Sequence, residues 1–336
     1  QQFRKGVMAA VRNAGPEQVI KTVEAYHQRE PEAAKQAWHP EVFENLGTPD
    51  WQQLYVNAEH NGEVGVVTIA RESYSAEADE ELNRALDWLK AEGIDRLILT
   101  GDFHFSTQLV GADTSDFYPA LEDETEGFRV SSTWSKTARR LETDFATTVG
   151  FVNGKRLLGG CLELFTHCHY LIAVEDAQLG FTEVGLPVVP GMEGCHWPFR
   201  KADKADWPKL VNLLMTGRPV RASEAIGWLS DYAGPLDQAI KTAWQVVTHG
   251  DHGLKRRPVE TGALSGVPKD TPAPDGPANA AALKAIMDCI QASCGASLAD
   301  ALDLQSKHSA GFMPVSYTHL TLPTTGHEGR GGGGGG

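Results

Sequence analysis

No apolar run in this chain reaches the roughly 18–20 residues that a membrane span needs, so no membrane partner is expected. No charged leader with an apolar stretch and a small-residue cleavage site is visible; the first residue is Gln1 rather than Met. Positive charge is also short. Thirty Lys and Arg stand against 44 Asp and Glu, the formal net charge is −14, and no basic stripe offsets it. That argues against a nucleic-acid partner. Two local basic spots, Lys201 to Lys209 and Leu254 to Pro258, read as solvated surface or as contacts for an anionic ligand tail. Cysteine is scarce: five residues, an odd number without framework spacing. This fits a reducing compartment, and a cytoplasmic location is expected. Cys161 and Cys168 fall in an apolar stretch and read as small core residues. No metal site is expected at His167 and His169, because no further ligands cluster near them in the sequence. Gly159-Gly160 has the spacing of neither the dinucleotide fingerprint nor the P-loop, and no redox cofactor is implied.

What is present is an ordinary globular composition, 41% hydrophobic and 22% charged over 336 residues. That length suits two modest domains or one large domain with extensions. Residues 1–48 read as a polar, helical extension or linker. Residues 49–250 read as the core. Residues 251–315 read as C-terminal helices after a linker rich in Pro and Gly, Pro258 to Ala278. Residues 316–336 carry no period, close on six glycines, and read as a disordered tail outside the fold.

Within the core, the segment from Leu54 to Arg71 predicts two strands joined at Asn61-Gly62. A helix follows, capped by Ser75, ended by Gly93, with Leu82, Ala85, Leu86 and Leu89 on one face. Asp95 to Gly101 predicts a buried strand, so strand, helix, strand implies a parallel crossover. Phe103 to Phe117 predicts a loop leading into a helix, with a tight turn at Gly111-Ala112-Asp113 and Asp113 or Thr114 as cap. Residues 128–145 predict a helix with Trp134, Ala138 and Leu141 on one side. Trp207 to Leu229 predicts helix, turn, helix, and Leu236 to Val247 another helix.

The stretch from Val149 to Gly194 concentrates the chemistry. A short apolar run closes at Asn153-Gly154, Gly159-Gly160 opens an apolar helical segment, and Tyr170 to Val174 reads as a strand. Two acids, Glu163 and Glu183, sit twenty positions apart in apolar surroundings. Carboxylates rarely enter cores unless paired or functional. A glycine pair at a helix start, with an acid one turn on, suggests backbone N–H groups beside a general acid or base. The structural alternative is a buried or capping acid at Glu163 and a surface residue at Glu183.

Four blocks in order, spanning roughly Leu54 to Val247, resemble the enoyl-CoA hydratase/isomerase (crotonase) superfamily. They are LTGDFHFSTQLVGADTSDF, VGFVNGKRLLGGCLEL, AVEDAQLGFTEVGLPVVPGMEG and LMTGRPVRASEA. The resemblance implies an α/β fold, a crotonase-like spiral of ββα units with a C-terminal helical region used in trimer assembly. It implies an acyl-CoA thioester substrate, with coenzyme A part of that substrate and no separate cofactor, and a homotrimer or hexamer. Matched by motif, the oxyanion-hole N–H groups fall on Ala112 and Gly160, and the hydratase glutamates on Glu163 and Glu183. Val110, Gly111, Asp113, Gly159 and Glu193 are then expected at the substrate. The implied activity is an enoyl-CoA hydratase of β-oxidation type, in which one carboxylate takes a proton from water, the oxygen adds at C3, and the other acid protonates C2. Three alternatives stand beside it: a double-bond isomerase, an enzyme on an unusual cyclic or aromatic acyl-CoA, and a non-catalytic domain of a fused multifunctional protein.

The chain departs from the family pattern at named places. Gly-Gly-Gly is Gly159-Gly160-Cys161, with one extra residue after Asn153-Gly154. The loop between Phe105 and Gly111 is three residues longer. His169 replaces an Asp, Thr182 replaces a Pro, and the usual Asn-Ala is absent at Arg71-Glu72-Ser73-Tyr74. Glu193 stands where the family keeps a small residue, and reads either as solvated or as altering the choice of substrate or reaction.

Overall fold

The structure, a computed structural model, describes residues 11, 14–32, 38–41, 54–101, 108–113, 123–186, 188–270 and 280–321, with side chains to residue 313, Gln108 excepted. Most of the expected loop and helix between Phe103 and Phe117, including Thr114, lies outside these residues, as do much of segment 1–48 and the tail from 322. Helix α1, Pro16–Arg29, buries none of its residues.

Strands β1, Val56–His60, and β2, Gly65–Ile69, pair antiparallel, with Val56 opposite Ile69 and His60 opposite Gly65. Asn61 organises the turn. Its N–H donates to the Val64 carbonyl at 3.2 Å, and its Oδ1 accepts the N–H groups of Glu63 and Val64 at 3.0 and 2.9 Å. Helix α2, Ala76–Ala91, starts at Ser75, whose hydroxyl accepts the Ala78 N–H at 3.2 Å. Gly93 leaves it at φ 76°, a conformation that glycine adopts without a Cβ clash. Leu82, Ala85, Leu86 and Leu89 are buried, because a 3.6-residue period puts them on one face.

From here the chain winds as a spiral. β3, Arg96–Gly101, enters one sheet; β4, Gln108–Val110, enters a second; helix α3, Glu124–Thr143, closes the turn. The next turn is β5, Thr147–Val152, β6, Arg156–Leu158, and helix α4, Gly159–Thr166. Then come β7, Tyr170–Val174, β8, Gln178–Gly180, helix α5, Trp197–Lys201, and helix α6, Trp207–Thr216. β9, Val220–Arg221, β10, Tyr232–Gly234, and helix α7, Leu236–Val247, finish it. The sheets run β1-β2-β3-β5-β7-β10 and β4-β6-β8-β9. Each of the two full turns from β3 therefore adds one parallel strand to each sheet before its helix returns the chain. This is the ββα spiral that the motifs imply.

Every residue of β5 and of α4 is buried. A strand covered on both faces and a helix enclosed on all sides need apolar residues throughout, which is why this stretch shows little alternation. The second helix expected after Thr216 is not there. Gly217 turns left-handed at φ 65°, β9 joins the edge of the second sheet opposite Leu179, and only a 3₁₀ turn, Ala222–Glu224, follows. Edge pairing satisfies backbone groups that a short polar helix would leave to water.

Helices α8, Ala280–Cys294, and α9, Leu298–Thr321, close the described chain, and α9 continues past residue 315. It lies so close to α3 that a Cβ added at Gly127 would come 3.3 Å from Ala310 Cα. The basic spots are only partly solvated. Lys201 is buried, donating to the carbonyls of Thr166 and Cys168 at 3.1 and 2.5 Å, and Arg257 pairs with Asp231 at 2.8 Å. Lys201 thus sits at the C-terminal end of α4, where a cation opposes the negative end of the helix dipole. Burial lowers its proton affinity to a pKa of about 8. No helix among the described residues is long and apolar enough to cross a membrane.

Candidate active site

The second sheet brings Ala112 to Gly160. Tyr74 forms a parallel bridge with Ala112: the Tyr74 N–H donates to Gly111 O at 2.8 Å, and the Asp113 N–H donates to Tyr74 O at 2.6 Å. In that pattern the bridged residue's own N–H and C=O point away from its partner strand. Ala112 therefore directs its N–H away from Tyr74, on the side where α4 begins. A Cβ added at Gly160 would lie 3.6 Å from Ala112 N, and one at Gly111 would lie 3.7 Å from Gly160 N. Gly111 (φ 95°) and Gly159 (φ 55°) allow this approach, since both hold left-handed backbone. Gly160 is in the first turn of α4, where N–H groups have no intrahelical acceptor. Two backbone donors thus sit side by side at the positive end of a buried helix, a favourable place for developing negative charge.

Glu163 lies one turn further along α4. Its Oε2 accepts the N–H groups of Met192 and Gly194 at 2.8 and 2.6 Å, and its Oε1 accepts that of Gly191 at 3.3 Å. Glu183 opens the 3₁₀ turn Glu183–Gly185 and is also buried. Its Oε1 would lie 3.2 Å from a Cβ at Gly159, and its Oε2 is buried without a hydrogen-bond partner. The two acids therefore have unlike surroundings. Burial pushes Glu163 up to about 7, opposed by its three N–H donors, with the charge of Glu193 adding to the rise. Burial pushes Glu183 up to about 8, and the charge of Glu163 adds to it. Backbone donors favour an ionised Glu163, while burial, with Oε2 left without a partner, favours a protonated Glu183. Between them they can take one proton and give another.

No family-level sequence profile matches the chain. It is similar to a protein named probable enoyl-CoA hydratase from Rhizobium meliloti, 31% identical over 202 residues, covering 56% of this chain and 74% of the relative. The chain belongs to the enoyl-CoA hydratase/isomerase (crotonase) superfamily. A relative of the same name from Bacillus subtilis is 30% identical over 161 residues, 48% of this chain, and the chain spans only 60% of its length. The solved enoyl-CoA hydratase of Rhodobacter sphaeroides shares the fold, with a TM-score of 0.55 over 77% of this chain and 87% of that one, at 18% identity.

Against the crotonase pattern, Glu193 is the notable departure, and the expectation of a solvated side chain is overturned. Glu193 is fully buried and turned into the protein. Arg139 on α3 grips its carboxylate through Nε at 3.0 and 2.9 Å and Nη2 at 2.5 Å. His167 Nε2 lies 3.1 Å from its Oε2. His196 Nε2 lies 3.1 Å from Oε1, outside hydrogen-bonding direction. Burial alone would raise the Glu193 carboxyl; these partners outweigh it and hold it well below the usual carboxylate range. Burial lowers the proton affinity of His196, against the pull of Glu193.

The other expected substrate contacts differ in what they face. Val110 ends β4 with 38% of its surface exposed, open to a ligand. Asp113 turns its carboxylate to Arg71 at 2.6 Å. His169 is a packing residue: its Nδ1 accepts the Thr148 N–H at 3.1 Å and its Nε2 donates to Glu142 O at 3.0 Å. No group of three or more His, Cys, Asp or Glu among the described residues could hold a metal ion. No sequence motif points to Arg139 or His196. Arg139 lies 54 positions from Glu193 with no motif around it.

Proposed function

We propose that this chain is an enoyl-CoA hydratase, adding water across the double bond of a 2-enoyl-CoA thioester. One observation supports the reading above the rest. Two buried carboxylates in unlike surroundings accompany the Ala112 and Gly160 N–H pair: Glu163, one turn past Gly160 on α4 with three N–H donors, and Glu183, beside Gly159 with an orphan Oε2. Hydration needs a base for water, an acid for C2 and a donor pair for the enolate oxygen, and this arrangement supplies all three.

In the proposed reaction the thioester carbonyl oxygen accepts the N–H groups of Ala112 and Gly160. Ionised Glu163 removes a proton from water as the water oxygen bonds to C3. The π electrons move to C2 and the carbonyl oxygen, and the resulting enolate charge is held by the two donors. Protonated Glu183 then delivers its proton to C2 as the carbonyl re-forms. The sum is one water added, with one proton moved from Glu183 and one gained by Glu163. Assembly as a trimer or hexamer through the C-terminal helices belongs to the same proposal.

Glu163→Gln should lower crotonyl-CoA hydration by about 10²–10⁴-fold, read as loss of the conjugated thioester absorbance. An isomerase reading rests on Glu183 alone, whose unpartnered Oε2 could shuttle a proton between C2 and C4. That enzyme would keep most of its rate in Glu163→Gln. Absence of turnover on short, medium and aromatic enoyl-CoAs by wild type would reject the hydratase.

A further inference from the structure

The 190–194 turn supplies every N–H that holds Glu163, so whatever fixes this turn fixes the base. Its start is tied to α3 and α9. Ser131 and Ser135 donate to Gly191 O at 2.5 and 3.2 Å, and Gln305 Nε2 donates to Pro190 O at 2.9 Å. Gln305 Oε1 also accepts the Cys195 N–H at 3.1 Å. Between these ties stands Glu193, at φ 74°. Glycine suits that backbone better than any residue with a Cβ. A glutamate held there, fully buried, needs a compensating reason.

Its contacts supply one. Arg139 grips the carboxylate with two nitrogens, and the same Nη2 reaches Leu298 O at 2.7 Å, the first residue of α9. His167 links the carboxylate to the helix of Glu163: Nε2 lies 3.1 Å from Glu193 Oε2, and Nδ1 lies 2.9 Å from the Glu163 carbonyl oxygen. The His167 ring stacks on Trp197 with centroids 4.0 Å apart. The Glu193 carbonyl accepts the N–H groups of His196 and Trp197 at 3.1 and 2.8 Å. The turn, α3 and the end of α4 therefore meet at one carboxylate, and Arg139 and His167 tie it on to α9 and α5.

We propose that Glu193 is a positioning residue for Glu163: its buried carboxylate locks the 191–194 turn onto α3 and α4, and places a fixed negative charge behind the base. In this proposal it acts through Glu163 and not on the substrate. The groups that face the Glu163 carboxyl are Glu193 and Cys195 from the turn, Glu183 from the 3₁₀ turn and Cys161 from its own helix. Arg139, His167, His196 and, behind them, Arg200 face Glu193. Arg139 pairs with Glu193, whose carboxyl is held well below the usual carboxylate range, and that negative charge raises the proton affinity of Glu163.

The kinetic readout rests on the hydratase proposal, so a second readout avoids turnover. In Glu193→Gln, kcat for hydration should fall roughly tenfold or more, with KM changed less than about threefold. The rising limb of the pH–kcat profile should move down by about one pH unit or more. The ¹³C carboxyl resonance of Glu163, assigned by its absence in Glu163→Gln, should titrate at correspondingly lower pH. An unmoved titration overturns the proposal whether or not the enzyme turns over. A raised KM at unchanged kcat also overturns it, because that marks a substrate contact. A shifted titration with no hydration by wild type leaves the proposal standing and rejects the hydratase. Should Glu193→Gln fail to fold, Arg139→Lys keeps the charge and removes the two-pronged grip. It should lower kcat with the limb in place, and wild-type kcat would overturn the positioning role.

Discussion

Gly194→Ala tests the geometry of Glu163, the proposed base, with one methyl group. A Cβ at Gly194 would lie 2.8 Å from Glu163 Oε2, 3.0 Å from its Cγ and 3.1 Å from its Cδ. Carbon contacts relax to roughly 3.5–4.0 Å, so the carboxylate or the turn must move by roughly 0.5–1 Å. The carboxylate has nowhere to go without losing the N–H bonds of Gly194 and Met192 at 2.6 and 2.8 Å. A displacement of that size in a reacting group lowers the rate by about 100-fold, or about 3 kcal/mol in the barrier. Overpacking of a filled interior adds about 1–3 kcal/mol of instability, or roughly 2–10 °C in Tm. Initial rates on crotonyl-CoA and calorimetric unfolding measure the two effects. Gly311→Ala is the control, since its Cβ meets nothing nearer than 3.5 Å and helix propensity favours alanine. In a Gly194→Ala, Glu163→Gln double variant the alanine should add little to the loss from Glu163→Gln alone, because both act through one carboxylate. Wild-type kcat within about threefold, with unchanged Tm, would refute the packing of Glu163 against this turn.

Two further outcomes concern pH. The pH–kcat/KM profile should be a narrow bell, rising as Glu163 ionises near 7 and falling as Glu183 loses its proton near 8; a plateau extending several units above pH 8 would remove Glu183 as the acid. Stability should follow the same groups. Folding raises the Glu183 carboxyl from 4.5 to about 8, so the native state keeps a proton that the unfolded chain has released. Its contribution is full below about pH 4.5 and is lost as pH rises to about 8. Glu183→Gln should therefore flatten the fall in unfolding free energy between pH 5 and 9 by on the order of 3–5 kcal/mol. Denaturant titrations at both pH values measure this, and equal slopes for the two proteins would count against the raised Glu183.

Much of this protein is written locally. The 3.6-residue period set α2 and its buried Leu82, Leu86 and Leu89; Ser75 and Gly93 marked its ends. The apolar run at Val149 and the Gly159-Gly160 pair located β5 and α4, and Glu163 and Glu183 stood out because acids are rare in such runs. These are properties of neighbours in the chain, carried by backbone conformation and side-chain period. The helix expected after Thr216 failed where a sheet edge offered its backbone better partners.

What only the tertiary structure decided is which groups face each other. Nothing local to Ala112 says that its N–H points away from Tyr74 and that Gly160 lies beside it. Nothing local to Glu193 separates a solvated acid from one clamped by Arg139 and His167, which stand 54 and 26 positions away. Likewise the contrast between Glu163 and Glu183 depends on three N–H groups delivered by a turn 28–31 positions on. Charge, desolvation and hydrogen bonding act through space, over a few ångströms, and sequence separation does not enter those energies. The chain order therefore named the acids, and the fold determined the surroundings of each.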